Sequence, residues 1–122
     1  MIPRLVLAIA LLFGPIMAEA REIRHRITLK SGREETIVSG RIPSPQDLAV
    51  YILRLRTGQH LSIRLEPGAT LRAYALLKPP SGDQIGPGAK LNFDVNQSGT
   101  FQIRIIALEQ TSGTFRLHLR TQ

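Results

Sequence analysis

The chain has 122 residues, sixteen Lys and Arg against nine Asp and Glu for a formal net charge of +7, and neither cysteine nor tryptophan. The missing cysteine excludes disulfides, thiol nucleophiles and cysteine-held metals, so stability rests on apolar burial and sheet hydrogen bonds. Thirteen of the sixteen basic residues are arginine, whose flat fork suits carboxylate and phosphate, and a surface this basic is drawn to anionic partners.

The N-terminal stretch MIPRLVLAIALLFGPIMAEA carries one basic residue, Arg4, an apolar run from Leu5 to Met17 and a small-x-small ending at Ala18-Glu19-Ala20. It reads as a signal peptide cleaved after Ala20. Gly14-Pro15 interrupts the run and leaves it below the roughly 20 apolar residues of a bilayer crossing, so no transmembrane anchor is expected after processing. The remainder, 21–122, is about 100 residues long and forms a single domain, periplasmic or secreted.

Along the mature chain, Ile23, His25, Ile27 and Leu29 alternate with Arg24, Arg26, Thr28 and Lys30, and Ser31-Gly32 turns this first strand. A weaker strand from Glu35 to Ile42 leads into Pro43-Ser44-Pro45, after which Ser44 and Pro45 suit one helical turn over 44–48. From Tyr51 to Leu65, two alternating arms flank Thr57-Gly58-Gln59, the pattern of a β-hairpin. Residues 69–78 carry apolar side chains on both faces, as in a central strand covered on both sides. Prolines and glycines over 79–88 predict a surface loop. A second hairpin is expected from Leu91, Phe93 and Val95 through Gln97-Ser98-Gly99 to Phe101, Ile103 and Ile105, and a last strand from Phe115 to Arg120. Seven or eight short strands without helical periodicity predict an all-β fold, an antiparallel β-sandwich.

These residues also resemble a known pattern. Tyr51 with its alternating arm, Gly58-Gln59, Leu61-x-Ile63-x-Leu65, Ala73-Tyr74 running into Pro79-Pro80-Ser81-Gly82, Ser98-Gly99-Thr100-Phe101 and Gly113-Thr114-Phe115 are similar to the bacterial pre-peptidase C-terminal domain. They are also similar to the exported inhibitors of g-type lysozyme. The resemblance spans Thr36 to Leu119 and rests on turn glycines and core alternation. It implies a jelly-roll-like sandwich, non-catalytic and used for binding. Some relatives bind calcium through acidic clusters, whereas Asp83 and the Asp94-x-Asn96 pair offer too few oxygens for that cation. No metal and no cofactor is expected.

Catalytic signatures are absent: no Gly-x-Ser-x-Gly elbow, His-Glu-x-x-His motif or phosphate-cradling loop occurs, and the reading is of a non-enzyme. His25 falls on an apolar face, His60 lies beside the Gly58 turn and His118 is interleaved with arginines. Arg54, Arg56, Arg64, Arg104, Arg116, His118 and Arg120 all oppose their strands' apolar residues, and would form one basic ligand-binding plate if their strands were neighbours. The alternative is that they divide between two sheets and mix with Glu66, Asp94 and Glu109. Sparse exposed aromatics argue against specific nucleic-acid binding and against neutral glycans. The expected partner is a protein or an anionic envelope polymer. A lysozyme inhibitor acting through Pro79, Pro80, Ser81, Gly82 and Asp83 in the Pro79 to Gly88 loop is the second reading, and a structural accessory subunit the third.

Overall fold

The structure, a computed structural model, describes residues 21–29 and 34–122. The expected leader, Lys30 and the Ser31-Gly32 turn lie outside the described residues. Nine strands are formed: β1 Glu22–Arg26, β2 Thr36–Ile42, β3 Leu48–Leu55, β4 His60–Pro67, β5 Ala73–Lys78, β6 Ile85–Gly88, β7 Lys90–Asp94, β8 Gly99–Ala107 and β9 Gly113–Thr121. They make two sheets, one of five strands in the order β1-β3-β8-β5-β6 and one of four in the order β2-β9-β4-β7.

Period-two alternation builds the core between the sheets. Tyr51, Leu53 and Leu55 of β3, Phe101, Ile103 and Ile105 of β8, and Ala75 and Leu77 of β5 point inward from one side. Leu61, Ile63 and Leu65 of β4 meet them from the other, with Phe115, Leu117 and Leu119 of β9. Each of these leucine, isoleucine and phenylalanine side chains contributes about 1.5–3 kcal/mol by leaving water. Tyr51 and Phe115 meet edge to face across the layers, with centroids 6.1 Å apart, above Gly40. A Cβ at Gly40 would overlap the Tyr51 hydroxyl and come within 2.8 Å of Phe115 Cε2, so the bare backbone is what admits both rings.

The two expected hairpins are arches instead. β3 pairs with β1 and β8, whereas β4 pairs with β7 and β9, so the arms of Tyr51 to Leu65 lie in opposite sheets. β7 and β8 are likewise divided. Alternation records which face of a strand is buried, and both sheets bury a face on one core, so it cannot name the partner strand. What holds the arches is each other. Gly58 N–H donates to the Val95 carbonyl at 2.8 Å, Val95 N–H donates to the Gln59 carbonyl at 2.8 Å, and Thr57 N–H donates to Ser98 Oγ at 2.9 Å.

Three further differences follow from tertiary pairing. β1 runs parallel to β3, from Glu22 opposite Leu48 to Arg26 opposite Ile52, because the intervening β2 crosses to the other sheet before the chain returns. The 44–48 stretch closes one turn, Asp47 N–H to the Ser44 carbonyl at 2.9 Å, and then enters β3 rather than a helix. Within the Pro79 to Gly88 stretch, Ile85–Gly88 is an edge strand paired with β5, which supplies the ninth strand. The β5 residues Tyr74 and Leu76 sit half-buried on the outer face.

Candidate functional site

Strand order divides the seven basic positions. Arg54 and Arg104 lie on the outer face of the five-stranded sheet, opposite Thr100 and Val50 respectively, and Arg56 follows β3 in the arch. Arg64, Arg116, His118 and Arg120 lie on the outer face of the four-stranded sheet. One continuous plate is therefore not formed. Arg104 is also taken: it bonds Glu22 at 2.7 Å, and Glu22 receives Arg24 at 2.8 Å. The hydrogen bond from Arg24, with the charge of Arg104 beside it, holds the Glu22 carboxyl below its ordinary value of 4.5.

On the four-stranded sheet, register brings Ile37, His118, Arg64 and Lys90 into one row across β2, β9, β4 and β7. Lys90 joins this face although sequence reasoning passed over it; its parity with Asn92 and Asp94, all outward on β7, is the signal that was there. Arg64, Lys90 and Arg116 make no ion pair within 4 Å among the described residues, although the charges of Arg64 and Arg116 act on Glu66, and Arg120 stands 3.6 Å from Glu35.

His118 differs from its neighbours. It is buried to 9% exposure, with Nδ1 2.8 Å from Glu35 and Nε2 3.2 Å from Glu66, so its nearest charged partners are carboxylates rather than the arginines beside it in sequence. Its hydrogen bonds are the main cause that sets both glutamates below 4.5, reinforced by the neighbouring positive charge. His60 is tied to Asp94 at 2.6 Å, and that bond raises it above 6.5. His25 stacks on Tyr51 at 5.7 Å while its other face stays exposed. Among the described residues no group of three or more His, Asp and Glu side chains is placed to hold a metal ion.

The proline loop has a built-in base. Pro79 is buried, Pro80 packs so closely on Gly99 that a Cβ there would lie 2.8 Å from its ring, and Gly82 N–H closes a turn to the Pro79 carbonyl at 3.0 Å. On the return, Ile85 and Gly88 pair with Leu77 and Ala75. Between these anchors Pro80, Ser81, Gly82, Asp83 and Gln84 are exposed. Gly99 faces Leu55 across the β3–β8 pair, so this tip shares one end of the sandwich with Arg54 and Arg56.

No protein-family model matches the chain, and no curated protein sequence does. Solved structures do match. PliG of Aeromonas hydrophila, a periplasmic lysozyme inhibitor of g-type lysozyme, superposes with a TM-score of 0.70 at 12% identity, covering 84% of this chain and 99% of that one. PliG of Salmonella Typhimurium gives 0.62 at 13% identity, with 84% and 99% covered. The pre-peptidase C-terminal domain of a Bacillus anthracis collagenase gives 0.58 at 13% identity, with 84% and 98% covered. The fold expected from the sequence resemblance is the fold these proteins have.

Proposed function

We propose that this chain, sharing its fold with the PliG inhibitors, is an exported, non-catalytic binding module whose partner is a g-type lysozyme. The observation that carries this reading is the exposed tip Pro80 to Gln84 on a base anchored at both ends. A tip held in this way loses little conformational freedom on entering a cleft, so more of its contact energy appears as affinity. The tip is free of Lys and Arg and bears Asp83, which lets it approach a basic enzyme despite the overall charge of +7.

The test is a lysis assay with the purified mature chain and a g-type lysozyme. Inhibition is expected near micromolar concentration, and Ser81→Ala or removal of 81–83 raises the concentration required by about tenfold or more, the worth of one good contact. Inhibition that survives the shortened loop removes the loop from the mechanism; no inhibition by the intact chain removes the enzyme as partner.

A second reading is favoured by one observation, that Arg64, Lys90 and Arg116 stand on a single sheet face without a close ion pair: an acidic envelope polymer lies across the four-stranded sheet.

A further inference from the structure

A cleft of about 420 Å³ opens where the chain leaves β1 and runs on beside the end of β3. Its accessible apolar lining is Ile27 and Leu29 from the segment after β1 and Ile52 of β3, while Leu53 is closed off in the core at 1% exposure and Thr28, Gln59 and Thr121 complete the lining. Ile27 N–H donates to the Ile52 carbonyl at 2.8 Å, which fixes one wall against the other. Arg26, Arg54 and Arg56 form the rim. No acid lines the cleft, and none of the three arginines has a carboxylate partner among the described residues.

Three unpaired guanidinium groups set around an apolar floor are complementary to one kind of small molecule. A bare anion would satisfy the arginines and leave the floor wet, and a neutral lipid would cover the floor and leave the charges unmatched. We propose that this cleft binds a single-chain anionic amphiphile, with a carboxylate or phosphate head held by Arg26, Arg54 and Arg56 and its acyl chain laid along Ile27, Leu29 and Ile52. The volume is within the range of small-molecule sites. Paired, charge-assisted bonds from arginine would orient the head, and each methylene buried on the floor would raise affinity by up to about fourfold. The cleft lies on the β1 side of β3, and although Arg54 and Arg56 share one end of the sandwich with the proline tip, none of residues 79–88 lines it, so uptake of an amphiphile and lysozyme inhibition are measured separately.

Calorimetry on the purified mature chain, with monomeric dodecanoate, octanoate, inorganic phosphate and dodecyl maltoside as probes, tests this. Dodecanoate is expected to bind with a stoichiometry of one and octanoate more weakly, while phosphate and the maltoside bind at least about tenfold more weakly than dodecanoate. The double variant Arg54→Gln with Arg56→Gln, whose side chains are exposed and whose urea midpoint should be unchanged, is expected to lose about tenfold or more. Leu29→Ser should flatten the dependence on chain length without altering the response to salt. Phosphate binding as tightly as dodecanoate, maltoside binding as tightly, or uptake unaltered in the double variant would each overturn the proposal.

Discussion

Two glutamates reach His118 from elements on either side of β9: Glu35 from the segment leading into β2, and Glu66 from β4. Both carboxyls sit below their ordinary value of 4.5 in the folded chain, chiefly through this histidine. A carboxyl with a depressed folded pKa binds its proton more readily when unfolded, so the associated stability is present above pH 4.5 and is lost as the pH falls through the folded value. His118→Ala should therefore lower the urea midpoint at pH 6, and the gap between variant and parent should narrow as the pH is taken below 4. A gap of constant size down to pH 3 would show that the histidine acts by packing alone.

The arches make a prediction at the scale of elements. Gly58 adopts φ 96°, with open space where a Cβ would be, so Gly58→Ala meets backbone strain and no clash. The cost should be about 1 kcal/mol, less for Gly58→Asn, because asparagine tolerates the left-handed region. Ser98→Ala removes the acceptor for Thr57 N–H in the opposing arch and should cost a similar amount, about 1 kcal/mol, with the two effects non-additive because the arches touch. Urea unfolding of the single and double variants measures this; strict additivity would argue against a shared unit. The same arches mark where the sequence was readable. Tyr51, Leu53, Leu61 and Ile63 declared their inward parity without ambiguity, and the Gly58 turn declared itself. That β3 seeks β8 and β1, rather than β4 beyond the turn, depends on register contacts between strands far apart in the chain, which periodicity does not carry. Lys90 and Glu35 were missed for the same reason: neither has a role until β7 lies beside β4 and the approach to β2 lies beside β9.

At the scale of the whole molecule, the +7 charge is dispersed rather than pooled. Arg104 and Arg24 share the single charge of Glu22, Arg72 meets Glu109 and Arg21 meets Asp47, which leaves small groups of basic side chains on separate faces. Binding of an acidic polysaccharide to the four-stranded sheet should therefore weaken with salt by a slope reflecting about three charges rather than seven. Arg64→Ala with Lys90→Ala should reduce that slope to about one charge, while Arg104→Ala leaves it intact. A flat salt response would remove the polymer reading, and a slope near seven would mean that both faces engage at once.

The arched connectivity also governs how the chain reaches this state. Among the described strands, β5 and β6 are the one pair adjacent in sequence; β2 waits for β9, β3 waits for β8, and β4 waits for β7 and β9. Loop closure must therefore precede most of the pairing that rewards it, which places folding in the millisecond-to-second range typical of non-local β topologies. A chain emerging N-terminus first can complete the five-stranded sheet only when β8 arrives, and the four-stranded sheet only when β9 does. Late closure of this kind keeps the chain extended and pliable until most of it is present, without any device beyond its own strand order.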